Sequence, residues 1–235
     1  MSVRRGRGGF DPKGPDGTRS RRADRRGDLS AELRQDAARN RDRVLAAARQ
    51  VFDEQGTAFS VEEVACRAEV GVGTIYRRFP TKGDLIDAVA LPLYQQTLEI
   101  AHRSLDAPAA DGLEQFVRDT TAFHAAHGLP SRLLWGAAGA ARVRQEIAAA
   151  MEVLIQRAKD AGALREDVVY QDLVVLLWTM TDLVEATRRT APRIWERHLD
   201  LVLDGLRPGP SRPLPGAVQA AKWDRVVAER HERAR

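Results

Sequence analysis

The chain has 235 residues, longer than one typical domain and shorter than two, so a small module joined to a larger one is the first expectation. Hydrophobic residues make up 43% and charged residues 30%, which excludes a largely disordered or fibrous chain. The longest apolar stretch, 173–178, is far too short to span a membrane, and no signal-peptide core follows the first arginines. A single cysteine, Cys66, cannot form an internal disulfide, so we expect a cytoplasmic protein.

Charge is distributed unevenly along the chain, although the net charge is only +4. Residues 1–38 carry 10 Lys+Arg against 6 Asp+Glu, whereas residues 86–207 carry 13 against 17. A basic amino-terminal part joined to a mildly acidic body suggests that a polyanion meets one end of the chain only. A solvated arginine tail would give the same charge pattern.

The predicted elements begin after an arm, residues 1–38, that is rich in glycine and arginine and is expected to be disordered. Apolar residues then repeat at helical spacing over 41–55, with Asn40 as the N-cap. A capping-box pattern at 60–63 predicts a second helix that ends near residue 68. A short third helix is predicted over 72–79.

A fourth helix begins after Thr81, and Pro92 separates it from the body. The body pattern predicts helices throughout and no strand, over 93–105, 112–127, 131–138, 142–161, 169–189 and 193–206. A proline-rich linker and an amphipathic helix over 217–233 follow. The predicted fold is all-α. It consists of the arm at 1–38, a small amino-terminal domain with a helix-turn-helix at 39–90, a helical bundle at 91–207 and a tail at 208–235.

Two short helices joined by a tight turn are typical of a helix-turn-helix, whose second helix lies in the major groove of DNA. Gly71 and Gly73 remove side chains at the start of that helix, which permits close approach to phosphates or base edges. Ile75 and Phe79 are four residues apart and should be buried on its opposite face. The side chains that offer hydroxyl, guanidinium or ammonium groups are Thr74, Tyr76, Arg77, Arg78 and Lys82.

Residues 44–52, 60–65 and 73–85 closely resemble the amino-terminal domain of the TetR family of bacterial transcriptional repressors. The resemblance implies that Thr74, Tyr76 and Lys82 hold phosphates and that Val72, Gly73 and Arg77 read bases. Arg78 stands where the family often has a phosphate-binding histidine. The complete set of expected DNA-binding residues is Ser60, Gly71, Val72, Gly73, Thr74, Tyr76, Arg77, Arg78, Thr81 and Lys82.

Two positions depart from the pattern of the family. Glu69 occupies the turn position where the family usually has glycine, and a glutamate at positive φ carries a steric cost. Gly71 replaces the usual serine or threonine cap, which weakens the third helix by a few tenths of a kcal/mol.

Residues 161–173 and 195–206 resemble the SbtR-like carboxy-terminal domain of certain TetR regulators. The resemblance implies a ligand-binding and dimerising module whose seam uses the last two body helices. The expected seam residues are Val174, Leu177, Met180, Thr181, Val184, Leu199, Val202, Leu203 and Leu206. The same apolar stripe could instead pack inside one subunit.

Large or adaptable residues of the inner helices are candidates for an effector pocket, although ordinary core packing would use the same residue types. These candidates are Phe116, Thr120, Phe123, His124, Trp135, Met151, Leu154 and Trp178.

The predicted function is a homodimeric DNA-binding regulator, a repressor that a small-molecule effector releases from a palindromic operator. No catalytic motif is found, so neither an enzyme nor a cofactor is expected. One alternative is an effector-independent dimeric DNA-binding protein. Another is a redox sensor that uses Cys66, or a metal sensor that uses His124 and His127. For Cys66 we expect a buried, inert side chain.

Overall fold

The structure is a computed structural model that describes residues 35–36, 38–52, 54–55, 59–127, 138–209 and 212–233. The chain divides into two compact units, Met1–Asp42 and Arg43–Arg235, and the second unit contains both the predicted helix-turn-helix and the predicted body. Residues 1–34 of the predicted arm, most of the predicted helix at 131–138 and the candidate Trp135 lie outside the described residues.

All regular secondary structure in the described residues is helical, which confirms the all-α prediction. Helix α1 contains residues 38–52, so Asn40 lies inside a helix rather than capping one. The helices that follow are α2 Val61–Arg67, α3 Val72–Arg78, α4 Lys82–Asp106, α5 Gly112–His127, α6 Ala141–Asp160, α7 Tyr170–Thr187, α8 Ile194–Leu206 and α9 Ala220–Arg233. A short 3-10 turn, Ala138–Ala140, leads into α6.

The prediction that Pro92 ends a helix was wrong, because α4 continues through it for 25 residues. A proline inside a helix removes one backbone hydrogen bond and costs about 3 kcal/mol. Here Val89 and Leu93 are buried on either side of Pro92, so packing holds both halves in one helix. The boundary predicted at residue 90 therefore falls inside an unbroken helix that connects the helix-turn-helix to the body.

The body is built around α4, which packs against α5 and α6, while α5 also packs against α7, and α8 packs against α7. The approach of α5 to α4 is close at Gly112, where an added Cβ would lie 2.5 Å from the carbonyl oxygen of Ser104. Gly162 has a φ of +65° just after α6, which confirms the predicted helix end there.

The segment after α8 is tied to the loop before α7. The Leu214 backbone N–H donates to Asp167 Oδ2 at 2.9 Å, and Arg165 Nη2 donates to the Arg212 carbonyl at 3.0 Å. Hydrogen bonds from the Arg165 guanidinium and from this N–H lower the pKa of Asp167 to about 2. The linker is thus anchored to the body at a defined point.

The predicted terminal helix exists as α9 and packs on α7. The Trp223 indole stacks on Trp178, with ring centroids 5.3 Å apart and planes at 12°. The Arg230 guanidinium lies 4.7 Å from the Trp178 ring centroid and pairs with Asp182 at 3.4 Å. A stacked ring and a cation on the same indole give α9 a specific position on α7.

Candidate functional site

Local hydrogen bonds fix the start of α2 and the turn that joins α2 to α3. Ser60 and Glu63 form the predicted capping box: the Ser60 hydroxyl accepts from the Glu63 N–H, and the Ser60 N–H donates to the Glu63 carboxylate. The Val70 N–H then donates to the Ala65 carbonyl at 3.0 Å across the turn. The capping box fixes where α2 begins, and the Val70 bond closes the turn that leads to α3.

Glu69 has a φ of +55°, the backbone conformation that glycine adopts most easily. The side chain is exposed and the turn closes in spite of it. An L-residue with a Cβ pays roughly 1–2 kcal/mol in this region. The departure noted in the sequence is therefore a point of backbone strain beside α3.

Replacing Glu69 with glycine should raise the free energy of unfolding by about 1 kcal/mol, because the strain is relieved. Urea denaturation measures this change. The matched control is Glu62→Gly in α2, which should lower stability by about 0.5–1 kcal/mol through lost helix propensity. Equal losses in both variants would show that Glu69 carries no strain.

Helix α3 has one buried and one exposed face, as its spacing predicts. Ile75 and Phe79 are buried in the core. Tyr76, Arg77 and Arg78 are exposed, and Tyr76 keeps 43% of its surface accessible although it is a large aromatic side chain. The exposed predicted contacts therefore lie together on one short helix, with Val72 and Thr74 half-buried at its start.

Arg77 lies back along its own helix. Its Nε donates to the Gly73 carbonyl at 3.2 Å, and its Nη2 donates to Thr74 Oγ1 at 3.3 Å. Both bonds are long and solvent-exposed, so exchanging them for bonds to another acceptor costs little. The guanidinium is held near the start of α3, where a base edge or phosphate would meet it.

Thr81 and Lys82 begin α4 next to the end of α3. The Thr81 hydroxyl accepts from the Asp84 N–H and donates to the Asp84 carboxylate, so the cap uses the hydroxyl in both roles. The Lys82 ammonium lies 4.3 Å from the centroid of the Phe59 ring. Thr81 thus positions the start of α4, and Lys82 carries a positive charge next to the end of α3.

Neither glycine at the start of α3 is required by close packing. Gly71 is the N-cap, with extended backbone and no side-chain cap, as the sequence analysis expected. A Cβ on Gly73 would have no heavy atom within 4 Å. Glycine inside a helix is less favourable than alanine by roughly 0.8–1 kcal/mol, so the fold itself gives no reason for Gly73.

A second candidate site is a partly open cavity of about 140 Å³ in the body, between α4, α5, α6 and α7. Five predicted pocket residues line it: Phe116, Thr120, His124, Met151 and Trp178. The sequence analysis did not propose Tyr94, Thr97, Arg144, Ile147, Ala148 and Tyr170, which also line it. The helical spacing of these six residues shows only that they face inward. Ordinary core residues have the same spacing, so the sequence cannot distinguish the two.

Two other predicted pocket residues, Leu154 and Phe123, do not line this cavity. Leu154 is buried in the core. Phe123 is half-buried, and its ring centroid lies 4.3 Å from that of His127.

The predicted seam residues are buried or half-buried in the single chain, and their assignment to a dimer contact stays a prediction. The buried ones are Met180, Thr181, Val184, Leu199 and Leu203. The half-buried ones, Val174, Leu177, Val202 and Leu206, pack against the same core. Apolar side chains that α7 and α8 do expose are Val175, Ile194 and Leu201.

The candidate residues of the metal and redox sensors, His124, His127 and Cys66, differ in burial and in their contacts. His127 is exposed and its Nδ1 bonds to the Phe123 carbonyl, whereas His124 is buried. In the described residues no group of three His, Cys, Asp or Glu could hold a metal ion. Cys66 is exposed, so the expectation of a buried thiol was wrong, and the neighbouring Arg67 binds Glu54 with both terminal nitrogens.

Comparison with known proteins matches both halves of the chain to one family. Residues 44–89 match the model for bacterial regulatory proteins of the tetR family, and residues 108–208 match the SbtR-like C-terminal domain of transcriptional regulators. A TetR transcriptional regulator of Streptomyces coelicolor is 33% identical over 72% of this chain and 98% of that one, with a TM-score of 0.47. The chain belongs to the TetR family.

Two further relatives of this TetR-family chain match very different lengths of it. A tetR-family regulatory protein from Rhodococcus RHA1 is 20% identical over 72% of this chain and 98% of that one, and its TM-score of 0.58 supports the fold. An HTH-type transcriptional regulator of Staphylococcus aureus is 41% identical over 54 residues, which are 23% of this chain. The chain spans only 29% of the length of that curated relative.

The TetR family is a family of transcriptional regulators and not an enzyme family. Its members bind DNA and dimerise. No helix in the described part of this TetR-family chain is long and apolar enough to cross a membrane.

Proposed function

We propose that this chain is a TetR-family repressor that binds a palindromic operator as a homodimer and leaves it when a small effector binds. The observation that carries the DNA-binding part is the exposed face of α3, where Tyr76, Arg77 and Arg78 stand beside Lys82. Guanidinium groups suit guanine edges and phosphates, and a hydroxyl and an ammonium suit phosphates. Repression needs only occupancy of an operator, which makes it the simplest outcome of such binding.

The dimer we propose uses the outer faces of α7 and α8. Val175, Ile194 and Leu201 are exposed apolar side chains on these two helices, and burying them against a second copy would remove them from water. A two-fold dimer would place its two α3 helices about 34 Å apart, or a multiple of that, in successive major grooves. Operator symmetry would then mirror protein symmetry.

The cavity supports the effector part of the proposal. It lies between α4, α5, α6 and α7, and α4 is the unbroken helix that begins beside α3. A ligand that favours one arrangement of these helices would change the spacing of the two α3 helices and lower operator affinity by linkage. An effector-independent DNA-binding protein would have no need for this space.

Selection of bound DNA from a random pool tests the function directly. The expected result is an enriched, near-palindromic sequence with half-sites one helical turn apart or a multiple of that. A pool that stays random at low ionic strength would remove the DNA-binding proposal. Repression follows if the selected operator, placed at a promoter, lowers reporter expression in the presence of the protein.

Gly73 offers a variant whose effects on stability and on function should have opposite signs. Gly73→Ala should raise the free energy of unfolding by up to about 1 kcal/mol, because a Cβ there meets open space and alanine favours helix. The same methyl group should lower operator affinity about tenfold if the backbone approaches DNA closely at this point. Thermal denaturation and a binding titration measure the two effects. Unchanged affinity in a stabilised variant would show that DNA does not approach Gly73.

A further inference from the structure

The cavity contains a hydroxyl that no group in the described part of the chain satisfies. Thr120 is 1% exposed and lines the cavity, yet its Oγ1 has no hydrogen-bond partner. Its neighbour Thr121 bonds to the Val117 carbonyl one turn earlier, at 2.8 Å. Helical threonines commonly satisfy their hydroxyl in that way, and a buried hydroxyl without a partner is costly. The Thr120 hydroxyl is therefore a polar group that a ligand could satisfy.

His124 lies one turn beyond Thr120 on the same face of α5 and also lines the cavity. The Thr181 hydroxyl donates to the Leu177 carbonyl at 2.8 Å, so its oxygen accepts from His124 Nδ1 at 3.1 Å. This assigns the ring proton to Nδ1 and leaves Nε2 as an acceptor. Burial lowers the pKa of His124 to about 4, which keeps the imidazole neutral at pH 7.

The rest of the wall is mostly aromatic and aliphatic. Phe116, Met151, Leu177 and Trp178 contribute large apolar side chains, and no carboxylate stands among the described residues that line the cavity. The one charged lining residue is Arg144, whose guanidinium lies 5.5 Å from the centroid of the Tyr94 ring. A wall with a cation and no carboxylate disfavours positively charged ligands.

The size of the cavity limits the part of a ligand that it can enclose. Its volume is about 140 Å³. An engineered apolar cavity of about 150 Å³ in another protein takes up benzene, so a molecule of one six-membered ring is the right scale.

We propose that this cavity binds a small uncharged molecule, about one ring in size, whose hydroxyl group bonds to both Thr120 and His124. The ligand hydroxyl donates to the imidazole and accepts from the threonine hydroxyl, so both of these groups gain a partner. The proposal rests on the proposed function only in making this molecule the effector, since binding to the cavity needs no DNA.

The test measures binding of phenol, toluene and benzoate to the full chain without DNA, by calorimetry and by tryptophan fluorescence, to which Trp178 in the wall contributes. Phenol and toluene have the same number of heavy atoms, so they differ mainly in hydrogen bonding. Phenol should bind at least tenfold more tightly than toluene, because a buried site built for a hydroxyl rejects an analogue without one. Benzoate should bind more weakly than phenol, because the neutral imidazole offers it a lone pair instead of a proton. The Arg144 guanidinium, the one cation among the described lining residues, already contacts Tyr94.

Substitutions of two adjacent threonines provide the matched comparison. Thr120→Val should lower phenol affinity about tenfold and leave toluene affinity equal or higher. Thr121→Val should leave the ratio of the two affinities unchanged, because that hydroxyl bonds to its own helix. Thr120→Ser keeps a hydroxyl and should retain the preference for phenol. This variant shows whether loss of the preference in Thr120→Val comes from the missing hydroxyl or from a general disturbance of the fold at residue 120.

Three results would overturn the proposal: equal affinity for phenol and toluene, benzoate as the tightest ligand, or an unchanged ratio in Thr120→Val. The DNA selection is read separately. Phenol binding without operator binding would support the cavity proposal and contradict the proposed regulator function. Operator binding without any preference for phenol would support the regulator function and contradict the cavity proposal.

Discussion

Replacing Arg77 with alanine should lower affinity for the selected operator and relax the base preference at one position of each half-site. The expected loss is about 1–3 kcal/mol, roughly 5- to 150-fold, if the guanidinium makes a bidentate contact with a guanine. In the unbound protein the guanidinium is held only by long, exposed bonds to Gly73 and Thr74. Breaking these two hydrogen bonds therefore costs little, and it reduces the net contribution of the guanidinium to DNA binding only slightly.

Two comparison variants separate base reading from simple loss of charge. Arg142→Ala removes an exposed arginine from α6 that is also held by a bond within its helix, to Glu146 at 2.9 Å, and should not change binding. Lys82→Ala should weaken binding to all sequences alike and reduce the slope of log affinity against log salt by about one per half-site. Binding titrations on the operator and on variants at each position give all three results. An Arg77→Ala protein with unaltered affinity and base preference would exclude this side chain from recognition.

Acidification from pH 6.5 to pH 5 should lower the free energy of unfolding by about 1.5 kcal/mol through His124 alone. Burial lowers the folded-state pKa of His124 to about 4, whereas the unfolded value is near 6.5. Above pH 6.5 the ring is neutral in both states and carries no penalty. Between these two pKa values the unfolded chain binds a proton that the folded chain does not, so stability falls as the pH falls toward 4.

His124→Asn isolates this contribution, because the asparagine amide can still donate to Thr181 while the titratable ring is gone. The variant should lose much less stability than the wild type between pH 6.5 and pH 5, measured by urea denaturation. His198→Asn, at an exposed position of α8, should retain the full dependence of the wild type. A wild-type stability that stays level over this interval would mean that His124 is protonated in the folded protein.

Features set by neighbouring residues could be predicted from the sequence. The capping box of Ser60, the burial of Ile75 and Phe79, and the helix end at Gly162 each depend on contacts within a few positions. The helix-turn-helix and its exposed face followed from these local patterns. The same patterns also placed five cavity residues on inward faces.

Features set by distant packing could not be predicted in this way. The continuity of α4 at Pro92 depends on what its two halves bury, and the burial of Leu199 and Leu203 depends on which surface α8 meets. An apolar stripe is the same in sequence whether it faces its own subunit or a second copy. The orphaned hydroxyl of Thr120 likewise exists only because α6 and α7 leave space beside it.

Trp178 belongs to two structures at once, since one part of its indole borders the cavity and another part carries the stack with Trp223. Any molecule that moves this ring on entering must also move the carboxy-terminal helix, or break the stack. Truncation before residue 220 would remove the ring that stacks on this indole, even though no other cavity residue is changed. If the cavity binds an effector as proposed, tail length is a variable that any comparison of ligand responses has to hold constant.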